Sequence, residues 1–289
     1  MSYGPSVDGD IQTLCQATRA LARGLLTCRP EVSLSPSGYV EAIEDNLVPG
    51  VHRRQFETDL GKGNGNELAQ KIRAAHSSSA LAVNRFAPFK DAPGDLVLGR
   101  MSGFQFVEFE RKCPTGLRGG TSPNLDLIAE AATSTVEIES KCVEYLRRKS
   151  TIQTGLFFQP AYFRQILDER RDGSWFRAMQ TLSGSKAFTR LDVAQLIKHA
   201  FGLARCFRER TVILIYLFWE PLDAGKVAVF ADHRRELARF SEIVEGGYPS
   251  FEAMSYSDLW SSWVQQRNCP AWLVTHVANL QRRYSIPLT

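Results

Sequence analysis

Three charged side chains in the middle of the chain are spaced so that they could act together on a phosphate ester. Asp126 is followed, after residues 127–138, by Glu139 and Lys141. Carboxylates that lie close together repel each other and destabilise a fold unless a cation lies between them. Mg²⁺ binds a few carboxylates together with waters and substrate oxygens, and it activates water for attack on phosphate. The spacing therefore favours a magnesium site, in which Mn²⁺ could substitute, with Lys141 at its edge.

Two predicted strands position these residues. Apolar and polar residues alternate over 124–128 and over 136–142, and a short polar turn separates the two segments. Residues two apart share one face of a strand, so the alternation predicts a charged face made of Glu137, Glu139 and Lys141. If the two strands form an antiparallel hairpin, Asp126 lies beside Glu139 on that face.

The order Asp126, gap, Glu139-Ser140-Lys141 resembles the PD-(D/E)XK signature of restriction-endonuclease-like nucleases. Pro123 stands near the proline position of that signature, three residues before Asp126 rather than next to it. The segments PNLD and IESKCVEYL resemble uncharacterised bacterial members of this superfamily. The resemblance implies that Asp126, Glu139 and the Ser140 carbonyl bind the metal. It also implies that Lys141 places or deprotonates the attacking water, or neutralises the phosphate.

Two further catalytic candidates come from predicted helices. Glu67 opens the predicted helix 67–82, where it is explained equally well as a capping charge and, by the resemblance, as an acid near the metal. Gln195 lies on the polar side of the predicted helix 191–208. The resemblance implies that a Gln or Lys of the helix after the acid-x-Lys strand joins the site.

Basic side chains around these positions are candidates for contact with nucleic acid. Arg118 lies in a glycine-rich turn, and Arg147 and Arg148 belong to a basic run just after the charged strand. Lys198 and His199 share the polar stripe of helix 191–208 with Gln195. Each of these residues can equally be an ordinary solvated surface charge.

The predicted elements follow the order helix, strand, strand, strand, helix, strand. This order indicates an α/β (α+β) fold with a central mixed sheet and flanking helices, as in the restriction-endonuclease-like core. We predict an N-terminal helical cap over 1–50, a core over 51–220 and a C-terminal helical extension over 221–289, packed as one globular unit. Additional helices are predicted at 8–26, 162–168, 175–182, 229–244 and 258–264.

Composition restricts the class of protein. The hydrophobic fraction of 44% and the charged fraction of 23% are those of a folded globular protein rather than a disordered one. The net charge of +4 permits a polyanionic partner without requiring one. No apolar run is long enough for a membrane span, and no signal peptide is evident. The six cysteines are scattered, which is typical of reduced, mostly buried thiols, so we expect a cytoplasmic protein.

The resulting hypothesis is a Mg²⁺-dependent nuclease, with DNA as the expected substrate of an endonuclease. Two alternatives remain open at this point: a non-catalytic nucleic-acid- or protein-binding member of the same fold, and an RNA-directed nuclease. The resemblance also implies a role in bacterial defence, and nucleases that cut both strands often act as homodimers.

Overall fold

A five-stranded mixed sheet forms the centre of the protein. The computed structural model describes residues 7–62, 68, 70–115, 122–148 and 173–288. The strands lie in the order in which they occur in the chain. They are β1 Phe106–Lys112, β2 Asn124–Glu130, β3 Ser134–Lys141, β4 Thr211–Phe218 and β5 Ser250–Ser255.

Helices flank this sheet. The α-helices of the described residues are α1 Val7–Cys28, α2 Glu57–Leu60, α3 Ser78–Phe86, α4 Ser174–Leu182, α5 Val193–Cys206, α6 Ala228–Ile243, α7 Tyr256–Val264 and α8 Ala271–Tyr284. Short 3-10 turns lie at Ile43–Asn46, Arg53–Gln55, Lys71–Arg73, Ala87–Lys90, Pro93–Asp95, Glu144–Leu146 and Ala224–Lys226. Within the described ranges, no helix is both long and apolar enough to cross a membrane.

The strand directions confirm the predicted fold class. Strands β1, β2 and β3 form an antiparallel meander, whereas β4 runs parallel to β3 and β5 runs parallel to β4. Parallel neighbours need a crossover, which α4 and α5 supply between β3 and β4. The result is the mixed sheet with flanking helices that is expected of a restriction-endonuclease-like core.

Strand β5 is an element that the sequence analysis did not predict. It occupies Ser250–Ser255, inside the region assigned to a helical extension, and it pairs with the far edge of β4. Strand β4 is buried on both faces, so its outer backbone groups would lie unpaired in the interior without this partner. Six residues of mixed polarity carry too weak a periodic signal for such a strand to be recognised from the sequence.

The predicted helix 67–82 is wrong in its position. Helix α3 begins only at Ser78, and the preceding described residues include the 3-10 turn Lys71–Arg73. The Ser77 hydroxyl accepts a hydrogen bond from the backbone N–H of Ala80 at 3.2 Å, which caps the helix at this point. The predicted helix 162–168 lies outside the described residues.

A buried histidine on helix α6, His233, packs against the core. Its burial affects how the unfolding free energy of the protein depends on pH. The His233 ring stacks on Tyr145 with the ring centroids 3.9 Å apart, and its Nε2 lies 3.1 Å from the Tyr216 hydroxyl. Burial, with the nearby charges of Arg234 and Arg190, lowers the pKa of His233 to about 3. The native state therefore resists protonation of this ring, whereas the unfolded chain accepts the proton.

We expect His233→Phe to make the protein less sensitive to acid. Phenylalanine keeps the ring stacked on Tyr145 but cannot be protonated. Between pH 7 and pH 5 the wild type should lose about 2 kcal/mol of unfolding free energy that the variant keeps, because only the unfolded wild-type ring titrates near 6.5. Urea unfolding at the two pH values measures the difference. The exposed His52, changed to Gln, is the control, and parallel losses in wild type and His233→Phe would contradict the prediction.

Candidate active site

Asp126 and Glu139 face each other across the β2–β3 hairpin. Leu127 pairs with Ile138 in the antiparallel register, so the next pair outward is Asp126 and Glu139. Directly opposite residues of an antiparallel pair project to the same face. The Asp126 carboxylate also accepts a hydrogen bond from the backbone N–H of Ser140 at 2.8 Å. The structure therefore brings together the two carboxylates that the sequence spacing selected.

Lys141 is held between the sheet and helix α5. Its ammonium forms an ion pair with Glu139 and donates a hydrogen bond to the Gln195 side-chain oxygen at 3.0 Å. Gln195 lies in the first turn of α5, where its backbone N–H donates to the capping Asp192 carboxylate at 3.1 Å. The start of α5 thus fixes the position of the lysine, and Gln195 is a direct neighbour of the charged strand.

His199 lies behind this group of residues, not on the surface. Its Nδ1 atom is 3.2 Å from an oxygen of Glu137 and 3.2 Å from an oxygen of Glu139. Both glutamates have no solvent exposure, and His199 has 2%. The sequence analysis placed His199 among surface residues for nucleic acid, but α5 packs on the central strand β3 and this packing buries the ring.

The buried glutamates have oxygens that could accept a cation. One carboxylate oxygen of Glu137 has no hydrogen-bond partner among the described residues, whereas Glu139 is paired with Lys141 and one of its oxygens lies 3.2 Å from Nδ1 of His199. Potential ligand atoms of Glu137, Glu139 and His199 all lie within 4.8 Å of one another. Unsatisfied buried carboxylate oxygens are costly, which is the situation that a bound metal relieves.

Burial and neighbouring charges shift the pKa values of the acids and bases in this site. Burial and the neighbouring Glu139 raise the pKa of Asp126 well above its usual value, and burial raises the pKa of Glu137 to about 7. Burial alone would lower the pKa of Lys141 and of His199, but the surrounding carboxylates outweigh it and raise both. Burial and the crowding of carboxylates thus favour protonated acids and a charged lysine, so a metal ion that binds here must displace protons from the acids.

This group of residues lies at the wall of a large cleft. The cleft has a volume of about 1170 Å³, and β2, β3, α3 and α5 all contribute to its lining. Exposed Arg147 and Arg148 lie at its rim with Lys198, and Arg148 also forms an ion pair with Asp10 at 2.6 Å. These three predicted nucleic-acid contacts therefore share one cleft with the acidic residues. Glu67 and Arg118 lie outside the described residues.

Two acidic residues of this region were not selected by the sequence analysis. Glu137 was recognised on the charged face but was given no role, although its strand alternation with Glu139 was a usable signal. Glu110 of β1 lines the cleft, raises the pKa of Asp126, and has a φ of 53°. A positive φ is costly for a non-glycine residue, and the regular β1–β2 register is interrupted at this position. No local sequence pattern predicts that irregularity.

Comparison with known proteins adds a family-level finding. Residues 24–285 match the family model described as Restriction Endonuclease associating with ARP. No curated protein and no solved structure matches this chain significantly.

Proposed function

The chain belongs to the family described as Restriction Endonuclease associating with ARP, and from this premise we propose that it is a metal-dependent endonuclease acting on DNA. The family indicates a nuclease-like function. The observation that carries the proposal is the convergence of buried Glu139 and half-buried Asp126 on Lys141 in the wall of a cleft with basic residues at its rim. We propose DNA as the substrate because the family is described as a restriction endonuclease.

The residues present fit a divalent cation. In this proposal Asp126 and Glu139 bind the ion with the Ser140 carbonyl, because the two carboxylates face each other across the β2–β3 hairpin and both line the cleft. Glu137 and His199 lie directly behind Glu139 and orient it. A bound Mg²⁺, or Mn²⁺ in its place, would supply an activated water and neutralise charge on the phosphate.

Lys141 acts as a cation in this mechanism. The carboxylates beside it raise its pKa, so it keeps its proton at neutral pH. A protonated lysine cannot take a proton from the attacking water, but it can neutralise the phosphate or hold the water in place. Gln195 keeps the ammonium at this position through the 3.0 Å hydrogen bond. This argument favours charge neutralisation among the roles that the sequence left open.

Arg147 provides a test of the proposed nucleic-acid contacts. It is exposed at the rim of the cleft, whereas Arg148 is also engaged by Asp10. We expect Arg147→Gln to weaken DNA binding without changing the fold, and to reduce the slope of log affinity against log salt by about 0.9, one phosphate contact. Fluorescence anisotropy over a salt series measures both effects. The exposed Arg235 on α6, changed to Gln, is the matched control, because it lies outside the cleft lining. An unchanged slope of log affinity against log salt would show that Arg147 does not contact a DNA phosphate.

A substrate panel tests the proposed activity itself. Purified protein is incubated with supercoiled plasmid, single-stranded DNA and RNA, each with Mg²⁺, with Mn²⁺ or with a chelator. We expect cleavage of the plasmid in the presence of either metal and none with chelator. Cleavage of RNA alone would replace DNA by RNA as the substrate. Binding without cleavage under all conditions would support the non-catalytic alternative.

A further inference from the structure

Two cysteines lie in contact at the end of helix α5, away from Lys141 and Gln195. Cys206 is the last residue of α5 and is exposed, whereas Cys113 follows β1 and is buried. The two thiols lie close enough to shift the pKa of each other, upward at Cys113 and downward at Cys206. The residues are remote in sequence, so the fold alone creates this pair.

The backbone around the pair explains why the two thiols meet. A Cβ atom added to Gly202, one helical turn before Cys206, would lie 2.5 Å from the carbonyl oxygen of Cys113 and 3.2 Å from its Cβ. Helix α5 can approach this segment so closely only because residue 202 has no side chain. Cys206 lies on the same side of the helix one turn later, next to the Cys113 side chain.

The surroundings of Cys206 favour its reactive form. The neighbouring Cys113 thiol, helped by the positive charges of Arg111 and Arg205, lowers the pKa of Cys206 to about 7 despite partial burial. Because Cys206 is exposed and Cys113 is buried, a peroxide in solution reaches the Cys206 sulfur first. Cys15 is also exposed, but it lies on another helix, α1.

We propose that Cys113 and Cys206 are a redox modification site, which closes to an intramolecular disulfide when the protein meets a peroxide. The Cys206 thiolate attacks one peroxide oxygen, the O–O bond breaks, and the departing hydroxide takes a proton to become water. The Cys113 sulfur then attacks the resulting sulfenic acid, the S–O bond breaks, and hydroxide leaves with the Cys113 proton as water. Hydrogen peroxide is thus reduced to two waters and the two thiols are oxidised to one disulfide.

The proposed disulfide would link two segments that border the cleft. Helix α5 carries Gln195 and Lys198 at the cleft, and the backbone N–H of Cys113 donates to the Pro123 carbonyl at 3.2 Å, just before β2. The bond would covalently join the helix and the strand segment that flank the acidic residues. The proposal goes beyond the proposed nuclease function and does not depend on it.

Peptide mapping tests the proposal directly. The reduced full-length protein is treated with hydrogen peroxide, its intact mass is measured, and a non-reducing digest is compared with one treated with dithiothreitol. We expect a mass lower by two hydrogens and a single cross-linked peptide containing Cys113 and Cys206, which dithiothreitol separates. A disulfide between other cysteines, or no loss of hydrogens, would overturn the proposal.

Matched serine variants assign the two steps. Cys206→Ser should form no intramolecular disulfide, whereas Cys113→Ser should stop at a sulfenic acid on Cys206, which dimedone traps. Cys15→Ser, an exposed thiol on another helix, should behave as the wild type. Trapping of sulfenic acid on Cys113 instead of Cys206, or disulfide formation in Cys113→Ser equal to that of the wild type, would contradict the assignment. Thermal unfolding of each variant verifies that it is folded.

Discussion

Asp126→Asn is expected to abolish metal-dependent cleavage while the protein becomes no less stable. Asparagine has nearly the size of aspartate but lacks the negative charge that a divalent ion needs. The expected fall in kcat is about a thousandfold or more, which corresponds to the several kcal/mol that a metal ion contributes to a phosphate transition state. The loss would concern chemistry and metal binding rather than folding.

The stability of this variant has a predictable pH dependence. Burial and Glu139 raise the pKa of Asp126 in the folded protein, so the native state favours the protonated acid and loses stability as pH rises above the unfolded pKa. Asparagine cannot ionise and escapes this loss. The unfolding free energy of Asp126→Asn should therefore exceed that of the wild type at pH 8, and the difference should shrink toward pH 4.

Cleavage assays with Mn²⁺ test the expected loss of activity. Denaturant unfolding without metal at pH 8 and pH 4 tests the expected change in stability. Glu130→Gln is the matched control, because Glu130 is an acid of the same strand that forms ion pairs with Arg111 and Arg210 outside the cleft. That control should keep its activity and lose some stability. Cleavage by Asp126→Asn within tenfold of the wild type would contradict the assigned metal site.

Lys141→Met is expected to reduce both activity and stability. Methionine retains much of the length of the side chain but leaves Glu139 without its ammonium partner and Asp126 without a nearby positive charge. Removal of one partner from a buried ion pair costs about 3–5 kcal/mol of unfolding free energy. Loss of the positive charge beside the reacting phosphate should reduce kcat by about 10²–10⁴-fold.

A divalent ion should restore part of the stability of this variant. Without the lysine, the carboxylates carry more uncompensated charge, so added Mn²⁺ should raise the melting temperature of Lys141→Met by more than that of the wild type. Differential scanning calorimetry with and without Mn²⁺ measures this difference. Lys186→Met, which removes an exposed lysine outside the cleft, is the control. Equal stability of Lys141→Met and the wild type without metal would show that Lys141 does not neutralise the acids.

The sequence alone determined the elements whose pattern is local. Alternation along β2 and β3 predicted the hairpin, and the strand period of two then placed Asp126 beside Glu139, which agrees with the register that ends at the adjacent pair Leu127–Ile138. The continuous apolar run of β4 likewise predicted a strand buried on both faces, and the helical period of α5 predicted that helix. These elements could be predicted because their sequence signals depend only on neighbouring residues. Together they define the fold class.

Contacts between residues that are distant in sequence became evident only from the tertiary structure. The burial of His199 against Glu137 depends on how the crossover packs α5 onto β3, and the helical period of α5 does not specify that. Strand β5 exists because the edge of β4 needs a partner, and the meeting of Cys113 with Cys206 depends on the close approach at Gly202. Contacts between remote residues follow from the packing of whole elements, so they became evident only when the sheet and its helices were assembled.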